Sequence, residues 1–118
     1  MILVDTSVWI DHLREGNRVL AKLLTDGDVL CHPFIIGEVA CGHLRQRREI
    51  IALLHTLPSL DRVSDDEALF FIEKHRLYGK GIGLIDIHLL ASCSIGSCQL
   101  WTKDKRLLRI ADNMGISI

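Results

Sequence analysis

Glu38 is the one charged side chain in the run Pro33-Phe-Ile-Ile-Gly-Glu-Val-Ala-Cys-Gly42. Ile35, Glu38, Val39 and Gly42 stand at i, i+3, i+4 and i+7, one face of a helix. Burying an unpaired carboxylate is costly, so Glu38 needs a cation, a donor or a shifted pKa. Three further acids fall at turns: Asp5 stops Ile2-Leu-Val4, Asp86 follows Gly79, Gly81 and Gly83, and Asp104 comes two residues after Thr102. Each of these three alone is an ordinary helix N-cap, and an arginine partner would satisfy Glu38. As a set they form a self-repelling carboxylate cluster, which a hard divalent cation relieves. Mg2+ takes oxygen ligands and keeps several waters. Such an ion lowers the pKa of a bound water and stabilises charge on a phosphate. The chemistry is phosphodiester hydrolysis with neither a covalent nucleophile nor a thiol. Without the cation, at least one carboxyl, Glu38 first, is expected to have a raised pKa.

Other chemistries find less support. The histidines at 12, 32, 43, 55, 75 and 88 form neither HxH nor HExxH, so a histidine-based zinc hydrolase lacks its motif. The cysteines at 31, 41, 93 and 98 lie in apolar or small-residue stretches without a CxxC pair. They read as structural thiols of a reducing, cytoplasmic compartment. The net charge of -1 does not announce a nucleic-acid binder, so local charge matters. Basic clusters occur at Arg45, Arg47 and Arg48, at Lys74, Arg76 and Lys80, and at Lys103, Lys105, Arg106 and Arg109. The last begins beside Asp104, so Lys103, Lys105 and Arg106 are the expected phosphate contacts. Aromatics are few, and Trp9 and Trp101 read as core rather than base-stacking residues.

The acids must be positioned by the elements around them. Residues 2–4 and 29–31 read as buried strands, 99–102 as another, 60–63 as a weak one and 116–118 as an edge strand. Helical spacing marks 6–14, 18–25, 33 to about 44 and 47–57. Ser64-Asp-Asp-Glu67 is a capping box opening a helix to about Tyr78. Asp86 opens a helix to about Ser94, and 104–113 forms the last before Gly115. Short apolar strands alternating with helices mean an α/β domain with a mainly parallel sheet, expected to be a single unit over 1–118. Sites in such sheets lie outside the carboxyl ends of the strands. No apolar run approaches the roughly 18 residues of a membrane span.

Four motifs, in order, resemble those of PIN-domain ribonucleases of the VapC toxin type: Met1-Ile-Leu-Val-Asp5-Thr6-Ser7-Val-Trp-Ile10, Ile36-Gly-Glu38-Val39, Gly81-Ile-Gly-Leu-Ile-Asp86-Ile-His-Leu-Leu-Ala91 and Leu100-Trp-Thr102-Lys-Asp104-Lys-Arg-Leu107. The resemblance implies a three-layer α/β/α fold with a five-stranded parallel sheet. It implies an endoribonuclease in which Asp5, Glu38, Asp86 and Asp104 bind Mg2+ or Mn2+ and activate water, leaving a 3′-hydroxyl and a 5′-phosphate. Thr6 and Thr102 would be supporting hydroxyls, while Ser7 could equally be a helix-start hydroxyl. The substrate would be a tRNA or rRNA loop. The partners would be a second copy and a VapB-like antitoxin that blocks the acids. Apolar surface in 30–44 and 50–57 is the sequence's own hint of pairing. Some relatives carry a further acid where Arg106 stands, which weakens the case for a second metal. Two other readings are a non-catalytic PIN-like RNA- or protein-binding module, and an aspartate-based phosphotransferase. The latter usually needs an acid where Ser7 stands.

Overall fold

A computed structural model describes residues 1–118. In chain order the elements are β1 (Ile2–Val4), α1 (Thr6–Glu15), α2 (Arg18–Thr25), β2 (Val29–Leu30), α3 (Pro33–Cys41), α4 (Arg47–Thr56), α5 (Asp65–His75), α6 (Leu84–Gly96), β3 (Gln99–Trp101) and α7 (Lys105–Asn113). The strands form one parallel sheet in the order β2-β1-β3. The central strand has no solvent face, and Leu3 and Val4 are fully buried. That is why β1 reads as a continuous apolar run rather than an alternating one. Leu3 and Val4 belong to a core cluster with Val8, Trp9, Leu20, Ile35, Leu89, Leu90 and Leu107. The crossovers are helical, since parallel strands cannot be joined by a tight hairpin.

The five-stranded sheet expected from the sequence is realised as three strands and two single parallel bridges, Cys31↔Ser59 and Leu100↔Ser117. On the first edge, Cys31 N–H donates to the Pro58 carbonyl at 2.8 Å and Leu60 N–H to the Cys31 carbonyl at 2.9 Å. The chain then turns away. The Asp61 carbonyl accepts from the Ser92 hydroxyl, and Ser64 caps α5. The ladder therefore stops where the weak strand at 60–63 was expected. On the other edge Leu100 N–H reaches the Ile116 carbonyl at 2.7 Å, just after the left-handed turn at Gly115.

Helix ends account for the other differences. α3 stops at Cys41, where Gly42 leaves helical geometry. α5 stops at His75 because Arg76 adopts the left-handed conformation. α6 starts at Leu84, so Asp86 sits in its first turn rather than at its cap. His32 caps α3, its Nδ1 accepting the Phe34 N–H at 3.0 Å. The apolar residues expected to be in surplus at 30–44 and 50–57 are mostly used: Ile36, Leu44, Ile50 and Leu57 pack on the core, and Leu53 is exposed. Leu69, Phe70, Leu84 and Ile95, on α5 and α6, are exposed apolar side chains, as is Val19 on α2. No helix is long and apolar enough to cross a membrane.

Candidate active site

β1 and β3 run parallel and end together, the Asp5 N–H donating to the Trp101 carbonyl at 2.9 Å. Both strands are followed at once by helices, so Asp5 and Asp104 stand at the same carboxyl edge. Asp5 is buried and caps α1. Its Oδ1 accepts the Thr6 N–H at 2.8 Å. Its Oδ2 accepts two hydroxyls, Ser7 at 2.9 Å and Thr102 at 2.7 Å. Thr102 Oγ1 in turn accepts the Asp104 N–H at 3.1 Å, and Ser7 Oγ accepts the Lys103 N–H at 3.0 Å. The two strand ends are therefore laced together through side-chain hydroxyls.

Asp104 caps α7, a single oxygen, Oδ1, accepting the Arg106 and Leu107 N–H groups at 2.9 and 3.2 Å. Asp86 turns one oxygen, Oδ2, back to the Gly83 N–H at 3.2 Å. Glu38 is half-buried, and its Oε1 accepts the Thr6 hydroxyl at 2.9 Å. That hydroxyl, rather than an arginine, meets its need for a donor. The ion pairs of the structure are Lys22–Asp26, Arg62–Asp65 and Lys103–Asp11, none of them involving the four acids.

The Asp86 carboxyl is raised above its ordinary range, chiefly by burial, against the lowering effect of the Gly83 N–H; the negative charges of Asp5, Asp104 and Glu38 raise it further. Asp86 thus lies within the electrostatic reach of all three other acids, and it is the carboxyl that expresses their repulsion. Glu38 Oε2, Asp86 Oδ1 and Asp104 Oδ2 accept no hydrogen bond, and none is a buried atom lacking a partner. No three carboxylates, imidazoles or thiols are gathered closely enough to hold a metal ion by themselves. A cation at this edge would have to complete its shell largely with water, as Mg2+ does.

The structure places the two expected hydroxyls, Thr6 and Thr102, against Glu38 and Asp5. Ser7, left ambiguous by its position after Asp5, is a second hydroxyl donor to the oxygen that Thr102 holds. Its bond to Asp5 is local, but its second, from the Lys103 N–H, comes from a residue 96 positions away, which no local pattern announces. Among the expected phosphate contacts, Lys103 is paired with Asp11 across the site. Lys105 is exposed, and Arg106 donates to the Gly81 carbonyl at 3.4 Å.

Residues 2–113 match the PIN domain family. The chain is 43% identical to Ribonuclease VapC32 of Mycobacterium tuberculosis, in strains CDC 1551 / Oshkosh and H37Rv alike, over 100% of its own length and 96% of the relative's. The chain therefore belongs to the PIN-domain family, among its VapC ribonucleases. A crystal structure of PAE2754 from Pyrobaculum aerophilum superposes with a TM-score of 0.72 at 16% identity, covering 99% of this chain and 87% of that one. That likeness shows the fold.

Proposed function

We propose that the chain is a divalent-cation-dependent endoribonuclease, the toxin of a toxin–antitoxin pair, and that Asp5, Glu38, Asp86 and Asp104 form its metal site. The observation that carries this reading is the open edge where Asp86 is raised by burial, with the charges of the other three acids adding to it, while three carboxylate oxygens stay free of donors. Membership among the VapC ribonucleases supports RNA as the substrate.

Glu38, Asp86 and Asp104 would hold Mg2+ or Mn2+ through their free oxygens, with Asp5 completing the set. When bound, the cation supplies charge neutralisation at the phosphodiester and lowers the pKa of a neighbouring water. The chain's own contribution is preorganisation. Ser7 and Thr102 hold Asp5 Oδ2, Thr6 holds Glu38 Oε1, and two backbone N–H groups hold Asp104 Oδ1. Each carboxylate is thereby aimed before substrate arrives, so little reorganisation remains for the reaction itself. Cleavage of the P–O3′ bond by water leaves a 3′-hydroxyl and a 5′-phosphate.

A VapB-like antitoxin and a second copy of the chain are the proposed protein partners. The exposed apolar side chains Leu69, Phe70 and Ile95 give a pairing surface chemical sense. With all four acids present and partnered, nothing favours the non-catalytic binding-module reading. The test is cleavage of single-stranded RNA by the purified protein in Mg2+, in Mn2+ and in excess EDTA. Cleavage should vanish in EDTA and return with either ion. Asp86→Asn should lower the rate at least about a hundredfold. Undiminished, protein-dependent cleavage in EDTA would remove the metal mechanism.

A further inference from the structure

Beside the four acids, between the end of α5, the glycine loop and α7, lies a cleft of about 390 Å³. Its charged and polar lining is His75, Lys80, Arg106, Arg109 and Asn113. It contains no carboxylate, in a chain with 14 basic and 15 acidic residues. Arg106, Arg109 and Asn113 stand at i, i+3 and i+7 on one face of α7, so the helix aims all three into the same space. None of Lys80, Arg106 and Arg109 takes part in an ion pair. Three unpaired cations sharing one concavity repel one another, and an anion relieves that repulsion.

The cleft is built rather than incidental. Gly81 has φ +80°, and a Cβ there would lie 2.9 Å from Arg106 Cδ. Only the bare backbone of this loop lets the Arg106 side chain lie across it, where its guanidinium donates to the Gly81 carbonyl. His75 is held from the other side by the Phe71 ring, the two centroids 4.5 Å apart. Arg106 is also the link to the acids, because its own N–H is bonded to Asp104. The same loop leads on to Gly83, whose N–H is bonded to Asp86.

We infer that this cleft is a phosphate subsite, taking a backbone phosphate of the RNA strand next to the one being cleaved. Arg109 and Lys80 contact it and Arg106 stands between it and the acids. Lys103, spent on Asp11, contributes little. The inference rests on the ribonuclease reading above. A phosphate offers the fixed, multi-oxygen acceptor that arginine forks match, and the small aromatic content of the cleft leaves base recognition to other parts of the strand.

The test is binding of a fluorescent single-stranded RNA oligonucleotide to the full chain in EDTA, measured over a range of salt. Arg109→Gln and Lys80→Gln should each weaken binding about three- to tenfold. Each should also reduce the slope of log K against log salt by about 0.7, the single-strand value for one lost phosphate contact. Arg109→Lys should restore the slope, and Arg48→Gln, on α4, should match the wild type. Two results would overturn the subsite: unchanged affinity and slope in both cleft variants, or an acidic peptide of equal charge bound as tightly as RNA and weakened equally by Arg109→Gln. Failure of the ribonuclease reading registers separately, as absence of cleavage by the wild type in Mg2+ or Mn2+.

Discussion

Asp5 Oδ2 takes two hydroxyl donors, and the two are not equivalent. Ser7 is a near neighbour in the chain, whereas Thr102 crosses from the other strand end, is buried, and also accepts the Asp104 N–H. Thr102→Val keeps the shape and removes both bonds. A hydrogen bond to a charged group contributes about 1.5–3 kcal/mol, and a buried acceptor left short of donors costs more than the mean bond. Thr102→Val should therefore lower stability to urea by about 2 kcal/mol. It should also lower cleavage at least about tenfold, the usual scale for groups that orient metal ligands. Thr102→Ser retains the hydroxyl and should recover most of the activity. Equal activity in the Val variant would mean that Ser7 alone holds Asp5. That burial raises the Asp86 carboxyl is a residue-scale fact too. The sequence points to Glu38 because its helix is apolar, but Thr6 supplies Glu38 with a donor, and the raised carboxyl is Asp86.

At the scale of elements, Asp5, Asp86 and Asp104 of the proposed site sit where a strand or loop turns into a helix, while Glu38 comes from within α3, and some helix starts are set by the same groups. Asp104 is both the cap of α7 and a member of the site. The cap of α3 is His32, buried and neutral, with Nδ1 accepting from Phe34 and Nε2 3.1 Å from the Ser92 hydroxyl. Burial first, and then the positive charges of His88 and Arg62, bring its pKa down to about 4. The folded pKa lies below the unfolded one, so the unfolded chain binds the proton first. Stability is full above pH of about 6.5 and is lost as pH falls towards 4, by about 3 kcal/mol at most. Urea unfolding from pH 7 to 4 should show this loss, and His32→Asn, which can still cap, should flatten it. An identical acid limb in both proteins would assign the loss to other groups. This cap also shows what a sequence leaves obscure. Pro33 marks the start of α3 legibly, but the capping imidazole depends on Ser92, distant in the chain. The strands of the central sheet are legible from their apolar cores, Ile2-Leu-Val4, Val29-Leu30 and Leu100-Trp101. The outer two are legible only in outline, because Pro58 and the turn at Gly115 leave each only one bridging residue. Asp5, Glu38 and Asp86 stand out in the sequence because each interrupts an apolar or glycine-rich stretch, and Asp104 because it follows a strand end. Ser7's second bond and the cleft along α7 do not, since both join segments far apart.

For the whole molecule, the near-zero formal charge conceals a separation. The carboxylates gather at one edge of the sheet, and Lys80, Arg106 and Arg109 gather in the adjoining cleft. The ion-free fold must tolerate both concentrations at once. Asp86, whose folded pKa is raised, contributes stability fully present below its unfolded pKa of about 4 and lost as pH rises through the folded value. Near neutral pH the acidic edge is therefore a source of strain, and the proposed divalent cation would relieve it. At a concentration 100 times its Kd, a ligand specific to the folded state adds about 2.7 kcal/mol. Thermal unfolding at pH 7 should accordingly move up by several degrees from EDTA to saturating Mg2+ or Mn2+. Asp86→Asn removes one charge while retaining an oxygen for the Gly83 N–H. In EDTA it should be at least as stable as the wild type, and in Mg2+ it should gain much less. Active sites commonly carry such a trade between stability and function. Superimposable wild-type melting curves with and without the ion would sink the proposed metal site. A variant clearly less stable than the wild type in EDTA would make Asp86 chiefly a structural support for the start of α6.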